Sequence, residues 1–134
     1  TRTVTQWYPM APNGHLHTNI NIGGKSYKAA LDTGFPGQLI IPKSLTNEIP
    51  LASAPKVIGR ARTVNGEIEL MGADLTADVT IGDNVKIPVS TTSFGPFPHV
   101  VVGTAALKDF TILIDWQNKR FALIETKAPA PKPI

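Results

Sequence analysis

What most constrains the fold of this chain is how often, and how regularly, it turns. Residues 16–22 place Leu16, Thr18, Ile20 and Ile22 on one face, the period-two pattern of a half-buried strand. Gly23-Gly24 follows, and two glycines tolerate the positive φ that a primed two-residue hairpin turn requires. Residues 25–31 form the return strand. Asn65-Gly66, the strongest short hairpin signal, separates strand-like runs over 57–64 and 67–70. Gly82-Asp83-Asn84 lies between runs over 74–81 and 85–90, and Gln117-Asn118-Lys119 between 111–115 and 120–125, which predicts two more hairpins. Leu39-Ile40-Ile41, stopped by Pro42, and Val100-Val101-Val102 read as short apolar strands.

Eleven glycines and twelve prolines in 134 residues exceed the usual share of these two types, which is about 12%. Such punctuation favours strands and turns over long helices. Helix is expected only as one turn within 43–58 and one or two turns over 104–110. Several short strands with turns between them predict an all-β barrel or sandwich. Ile20-Asn21-Ile22-Gly23-Gly24 is echoed by Val79-Thr80-Ile81-Gly82-Asp83, and Leu39-Ile40-Ile41 by Val100-Val101-Val102. Two hairpin-plus-strand units would give a pseudo-two-fold domain, unless hairpins simply look alike.

Charge and residue counts remove several classes of function. Thirteen Lys and Arg against ten Asp and Glu leave a net charge of +3 with no basic cluster, so no nucleic-acid or membrane patch is indicated. There is no cysteine, which excludes disulfides, zinc–thiolate sites and thiol nucleophiles. No Gly-x-Gly-x-x-Gly, Gly-x-Ser-x-Gly or Walker sequence occurs. No apolar run approaches the ~20 residues of a membrane span. No cofactor and no metal is expected. The start at Thr1 reads as a trimmed or processed terminus, with any targeting segment outside it. Residues 1–13 read as an irregular lead-in, 14–126 as the folded domain, and 127–134 as a Pro-rich tail that points to a further domain.

The chemistry concentrates in Ala30-Leu31-Asp32-Thr33-Gly34-Phe35. Aspartate is disfavoured inside strands. Just beyond a buried strand, Asp32 is either a turn-former or a carboxylate held in a shielded site. Its context is an apolar run into Asp-Thr-Gly, the strand 39–41, an Asn-Gly hairpin, and Val101-Val102-Gly103. That order resembles the retropepsin-like aspartic proteases of the bacterial single-lobe type, over roughly residues 14–126.

The resemblance implies a single-lobed closed β-barrel with a flap hairpin and one short helix. It implies that Asp32 is catalytic, that Thr33 hydrogen-bonds across a dimer, and that Gly34 allows close backbone approach. Val64, Asn65, Gly66 and Glu67 would form the flap tip over an extended peptide. Gly103 would pack under the Asp32 loop, crossed by 39–41. Thr104-Ala105 departs from the family, where a polar Arg-Asp or Arg-Asn pair often follows the glycine. A brace is therefore lost or replaced there. Family analogues are often exported, periplasmic or membrane-tethered.

Aspartic proteolysis needs two carboxylates sharing one proton. The chain has one Asp-Thr-Gly. Asp74, Asp78, Asp83, Asp109 and Asp115 lack the following Ser-Gly or Thr-Gly; Asp83 and Asp115 fall in turns or strand ends, and Asp78 faces outward beside Val79. The second carboxylate is therefore expected from a second copy, in a C2 homodimer. A catalytically silent dimerisation or peptide-binding domain is the alternative, and a β-barrel ligand module with Asp32 as a turn residue is a third. His15 and His17 share one strand face, as a possible metal pair or as surface histidines. His99 either approaches the cleft or is a loop residue. Residues 94–98, Phe-Gly-Pro-Phe-Pro, either line an apolar subsite or cap the barrel, and Trp7, Tyr8 and Trp116 read as core residues ahead of interface ones.

Overall fold

Three valines hold the centre. Val100–Val102 forms strand β10, and all three side chains are buried. A strand covered on both faces and both edges has no polar positions to spare. One neighbour is β3 (Lys25–Leu31), which runs parallel to it with Val102 opposite Leu31. The other is β4 (Leu39–Pro42), antiparallel with Val101 opposite Ile40. The computed structural model describes residues 6–12, 14–82 and 85–126, and the side chain of residue 63 is not among the parts described.

The first hairpin forms as the sequence predicts. β2 (His17–Ile22) and β3 meet with Ile22 opposite Lys25, and Gly23 and Gly24 turn at φ +61° and +88°. Gly23 also lies so close to the Pro50 ring that a Cβ there would come within 2.9 Å. Ile20 and Ile22 are fully buried, as their alternation requires.

The second hairpin pairs β5 (Lys56–Thr63) with β6 (Gly66–Asp74). Its corner is Val64-Asn65, one residue earlier than expected, because Thr63 pairs with Gly66. Neither corner residue has positive φ; Gly66 takes it, at +117°. β6 also continues to Asp74, so the strand expected over 74–81 is only β7 (Val79–Ile81). β8 (Val85–Ile87) pairs with β7, while Asp83 and Asn84 of that turn lie outside the described residues.

β9 (Thr91–Gly95) was not legible in the sequence. It runs parallel to β4, with Phe94 opposite Ile41, and antiparallel to β6. Phe94 is thereby a core residue, whereas Phe97 is exposed. β11 (Phe110–Asp115) and β12 (Arg120–Glu125) form the last hairpin. The Asp115 carboxylate accepts bonds from Asn118 Nδ2 at 2.8 Å and Arg120 Nε at 2.9 Å, and these bonds, led by that from Asn118, hold its pKa below the usual range. Lys119 completes the turn at φ +51°. Within the lead-in, β1 (Tyr8–Pro9) pairs with β12, and Tyr8 is buried against Phe121. Trp7 carries the Arg120 guanidinium 4.0 Å from its ring centre, and Trp116, expected in the core, is exposed at the turn.

The strands make a nine-stranded sheet, β5-β6-β9-β4-β10-β3-β2-β7-β8, and a three-stranded sheet, β1-β12-β11. Among the described residues this pairing does not close, which differs from the expected closed barrel. β5 and β8 are the open edges of the nine-stranded sheet and β1 and β11 those of the three-stranded one; β8 stops at Pro88, which has no N–H to extend a ladder. Segment 104–109 is a run of turns with bonds such as Leu107 N to Thr104 O at 3.1 Å, not the expected helical turns. The short helix is a 3-10 turn at Lys43–Leu45. No helix among the described residues is long and apolar enough to cross a membrane. The internal echo has a structural counterpart. β2 pairs with β7 about Asn21 and Thr80, β4 pairs with β10, and the parallel pairs β3·β10 and β9·β4 are exchanged by the same two-fold.

Candidate active site

Asp32 leaves β3 immediately after the buried Leu31, and its N–H donates to Val102 O at 2.9 Å. The backbone is therefore tied to the central strand, while the side chain stands exposed. Its Oδ1 accepts the Gly34 N–H at 2.8 Å. A Cβ on Gly34 would sit 3.2 Å from that oxygen, so the small residue keeps room for the carboxylate. The Phe35 N–H closes the turn onto Asp32 O at 3.2 Å. Thr33 lies at the exposed tip.

Gly103 is pressed against the far side of this loop. A Cβ there would collide with the Gly37 carbonyl oxygen and approach Phe35 O to 2.6 Å. Its N–H donates to Gln38 O at 2.9 Å, and the next two N–H groups donate to Phe35 O and Gly37 O. Thr104, which follows Gly103, bonds to the loop twice. The Thr104 hydroxyl donates to Phe35 O at 3.4 Å, beside the 2.9 Å bond from its own N–H. Val101, Val102 and Gly103 thus back the Asp32 loop, with β4 crossing beside them.

The β5–β6 hairpin projects beyond the sheet. Only its base, Met71 to Asp74, pairs with β9. Val64 at the corner is fully exposed, and the flanking strands are joined by the exposed pair Arg60–Glu67 at 3.2 Å. A cavity of about 470 Å³ separates the base of the hairpin from the segment after Asp32, with Ile58 and Leu70 on one side and Phe35 and Gly37 on the other. Asn65, Gly66 and Glu67 lie at the tip, away from Asp32 in sequence and in sheet position.

A second cavity, about 800 Å³, contains Asp32 itself together with Thr33, Val101 and three histidines. Its composition follows from strand register. Ala30 pairs with His17 on one side and Val101 on the other. Side chains two apart share a face, so His15 and Asp32, one step to one side of the row His17–Ala30–Val101, and His99, one step to the other side, all lie on its face. The His15 and His17 rings are 6.0 Å apart, and the His17 and His99 rings 5.4 Å. Burial, then the positive fields of His99, Lys28 and His15, lowers the His17 pKa from 6.5. Nothing in the sequence joins His99 to the pair, because only the parallel pairing of β3 with β10 brings it there. Among the described residues no group of His, Asp or Glu is arranged to hold a metal ion.

Comparison with known proteins finds no matching family model and no matching curated protein. Among solved structures, the chain is similar to a retropepsin-like aspartic protease from Rickettsia conorii. The identity is 21%, the match covers 89% of this chain and 96% of that one, and the TM-score is 0.65. The protein therefore has the retropepsin-like fold.

Proposed function

We propose that this protein is a homodimeric aspartic endopeptidase in which two Asp32 carboxylates, one from each copy, activate the attacking water. The observation that carries this reading is the exposed Asp32 carboxylate, fixed by Gly34 N–H and backed by Gly103, in a chain with the retropepsin-like fold. Among the described residues lining the Asp32 cavity, there is no second carboxylate. A dyad therefore needs a second chain, and symmetry places both aspartates on the two-fold axis.

Carboxylates ~3 Å apart cannot both ionise. The ionised one takes a proton from water as the water oxygen bonds to the scissile carbonyl carbon, and the protonated one donates to the carbonyl oxygen; when the tetrahedral intermediate collapses, the C–N bond breaks, the departing amine takes the proton gained from water, and the hydroxyl proton returns to the other carboxylate. Thr33 braces the loop across the axis. The peptide lies extended beneath residues 64–67, where strand pairing with hairpin backbone holds it. β11 supports association: it is an edge strand, and Leu113 and Trp116 are exposed on or beside it.

The test is cleavage of an unfolded protein across the acid range, together with a solution mass. Asp32→Asn is expected to lower turnover by about 10³-fold while leaving the circular dichroism spectrum unchanged. A statine-type inhibitor is expected to block the wild type. A strictly monomeric, fully active wild type, or an active Asp32→Asn, overturns the assignment.

A further inference from the structure

The imidazole wall beside Asp32 has no role in the chemistry above, yet it occupies the same cavity. His15 and His17 reach it from the start of β2, and His99 from the residue before β10. The rest of the lining is largely apolar: Leu31, Val101, Phe97 and, from β11, Ile112 and Ile114. The one acid in the cavity is Asp32. Lys28, on β3, adds a further positive charge acting on His17. The His17 ring lies 6.0 Å from that of His15 and 5.4 Å from that of His99, and burial, then His99, Lys28 and His15, disfavour its charged form. Such a group is relieved by an anion, not by another cation. A metal ion is not indicated by the arrangement of these side chains.

We propose that His15, His17 and His99 form a specificity subsite for a substrate carboxylate, the side chain of an Asp or Glu residue flanking the scissile bond. This rests on the endopeptidase reading of Asp32. The donors suit the role: a protonated imidazole offers two N–H groups, and a charge-assisted bond to a carboxylate is among the stronger hydrogen bonds available. The apolar floor holds the methylene stem of the same side chain. A peptide lying across Asp32 places its flanking side chains within this one cavity, so recognition and cleavage share a wall.

The subsite works in a limited pH range. A peptide Glu ionises near 4.3 and an ordinary imidazole near 6.5, so the attraction is greatest between about those values. The lowered pKa of His17 pulls the upper edge down. The range overlaps the acid conditions under which a carboxylate dyad holds its shared proton.

The experiment uses C-terminally amidated peptides that differ only in Glu or Gln at each position around the cut, and one Gln peptide with a free C-terminal carboxylate. The wild type is expected to cleave one Glu peptide about tenfold faster, in kcat/KM, than its Gln partner at pH 5. That ratio should fall towards one at pH 8, and towards one in the His17→Gln/His99→Gln variant at either pH. Equal cleavage of both peptides by the wild type, or a ratio that survives in the variant, overturns the proposal. So does a gain confined to the free C-terminal carboxylate.

Binding keeps the two readings apart. Asp32→Asn, titrated with the same peptides at pH 5 and followed by the imidazole NMR signals, should bind the Glu peptide about tenfold more tightly. A binding preference with no cleavage by the wild type removes the endopeptidase reading and leaves the subsite standing. Cleavage with no binding preference does the reverse.

Discussion

The Asp32 loop and the β5–β6 hairpin are both turns at strand ends, and they are held in opposite ways. The loop is tied at each step: Asp32 N–H to Val102 O, Gly34 N–H to the Asp32 carboxylate, and three successive N–H groups from Gly103 onward to the segment 35–38. Toward its tip, from residue 70 back to 59, the hairpin is joined among the described residues by its own ladder and by exposed charges such as Arg60, Glu67 and Glu69. Buried contacts and short backbone bonds resist opening, while exposed ladders with few apolar contacts open most easily. The difference teaches a division of labour. On the proposed endopeptidase reading, the fixed loop holds the reacting carboxylate and the looser hairpin covers the peptide.

The largest expected effect attacks the fixed side. Gly103→Val would drive a branched side chain into the Gly37 carbonyl and the Phe35 ring. It should cost about 3 kcal/mol of stability by overpacking and abolish cleavage, read by denaturant unfolding and the peptide assay. Wild-type stability in that variant would mean that the loop is not clamped. Thr104→Val comes next. It keeps the backbone bond to Phe35 O and removes the hydroxyl one at 3.4 Å. The expected loss is roughly 0.5–1 kcal/mol, and a turnover loss larger than that would give the hydroxyl bond more weight than its length implies. The smallest effect belongs to the hairpin. Arg60→Ala removes an exposed ion pair and should shift stability by less than about 0.5 kcal/mol. A shift above 1 kcal/mol would erase the contrast, because the hairpin would then be as firmly held as the loop.

The legible and illegible parts of the molecule divide along the range of the interactions involved. Gly23-Gly24 and the alternation around it specify β2 and β3 because turn and period act within a dozen residues. The same local logic places Asp32 just past a buried strand and Gly103 just past another. It misplaces the second turn by one residue, because Asn65-Gly66 fits two loop geometries and the choice depends on where Gly66 takes its positive φ. It misses β9, whose Thr91-Thr92-Ser93 carries no apolar period; the strand exists because β4 and β6 offer it edges on both sides. It assigns Trp116 to the core by residue type, although a tip position in the 116–119 turn leaves the ring in solvent.

The site shows the same division. By itself the sequence determined an all-β chain built of hairpins, one Asp-Thr-Gly after an apolar strand, and a hydrophobic-hydrophobic-Gly segment near its end. Only the tertiary structure decided that these two segments are parallel neighbours, that Thr104 bonds Phe35 O with both its N–H and its hydroxyl, and that His15, His17 and His99 line one cavity with Asp32. The reason is physical. Turn chemistry and side-chain period are properties of neighbouring residues, whereas a parallel pair joins strands some seventy positions apart, and its register is set by packing across the whole core.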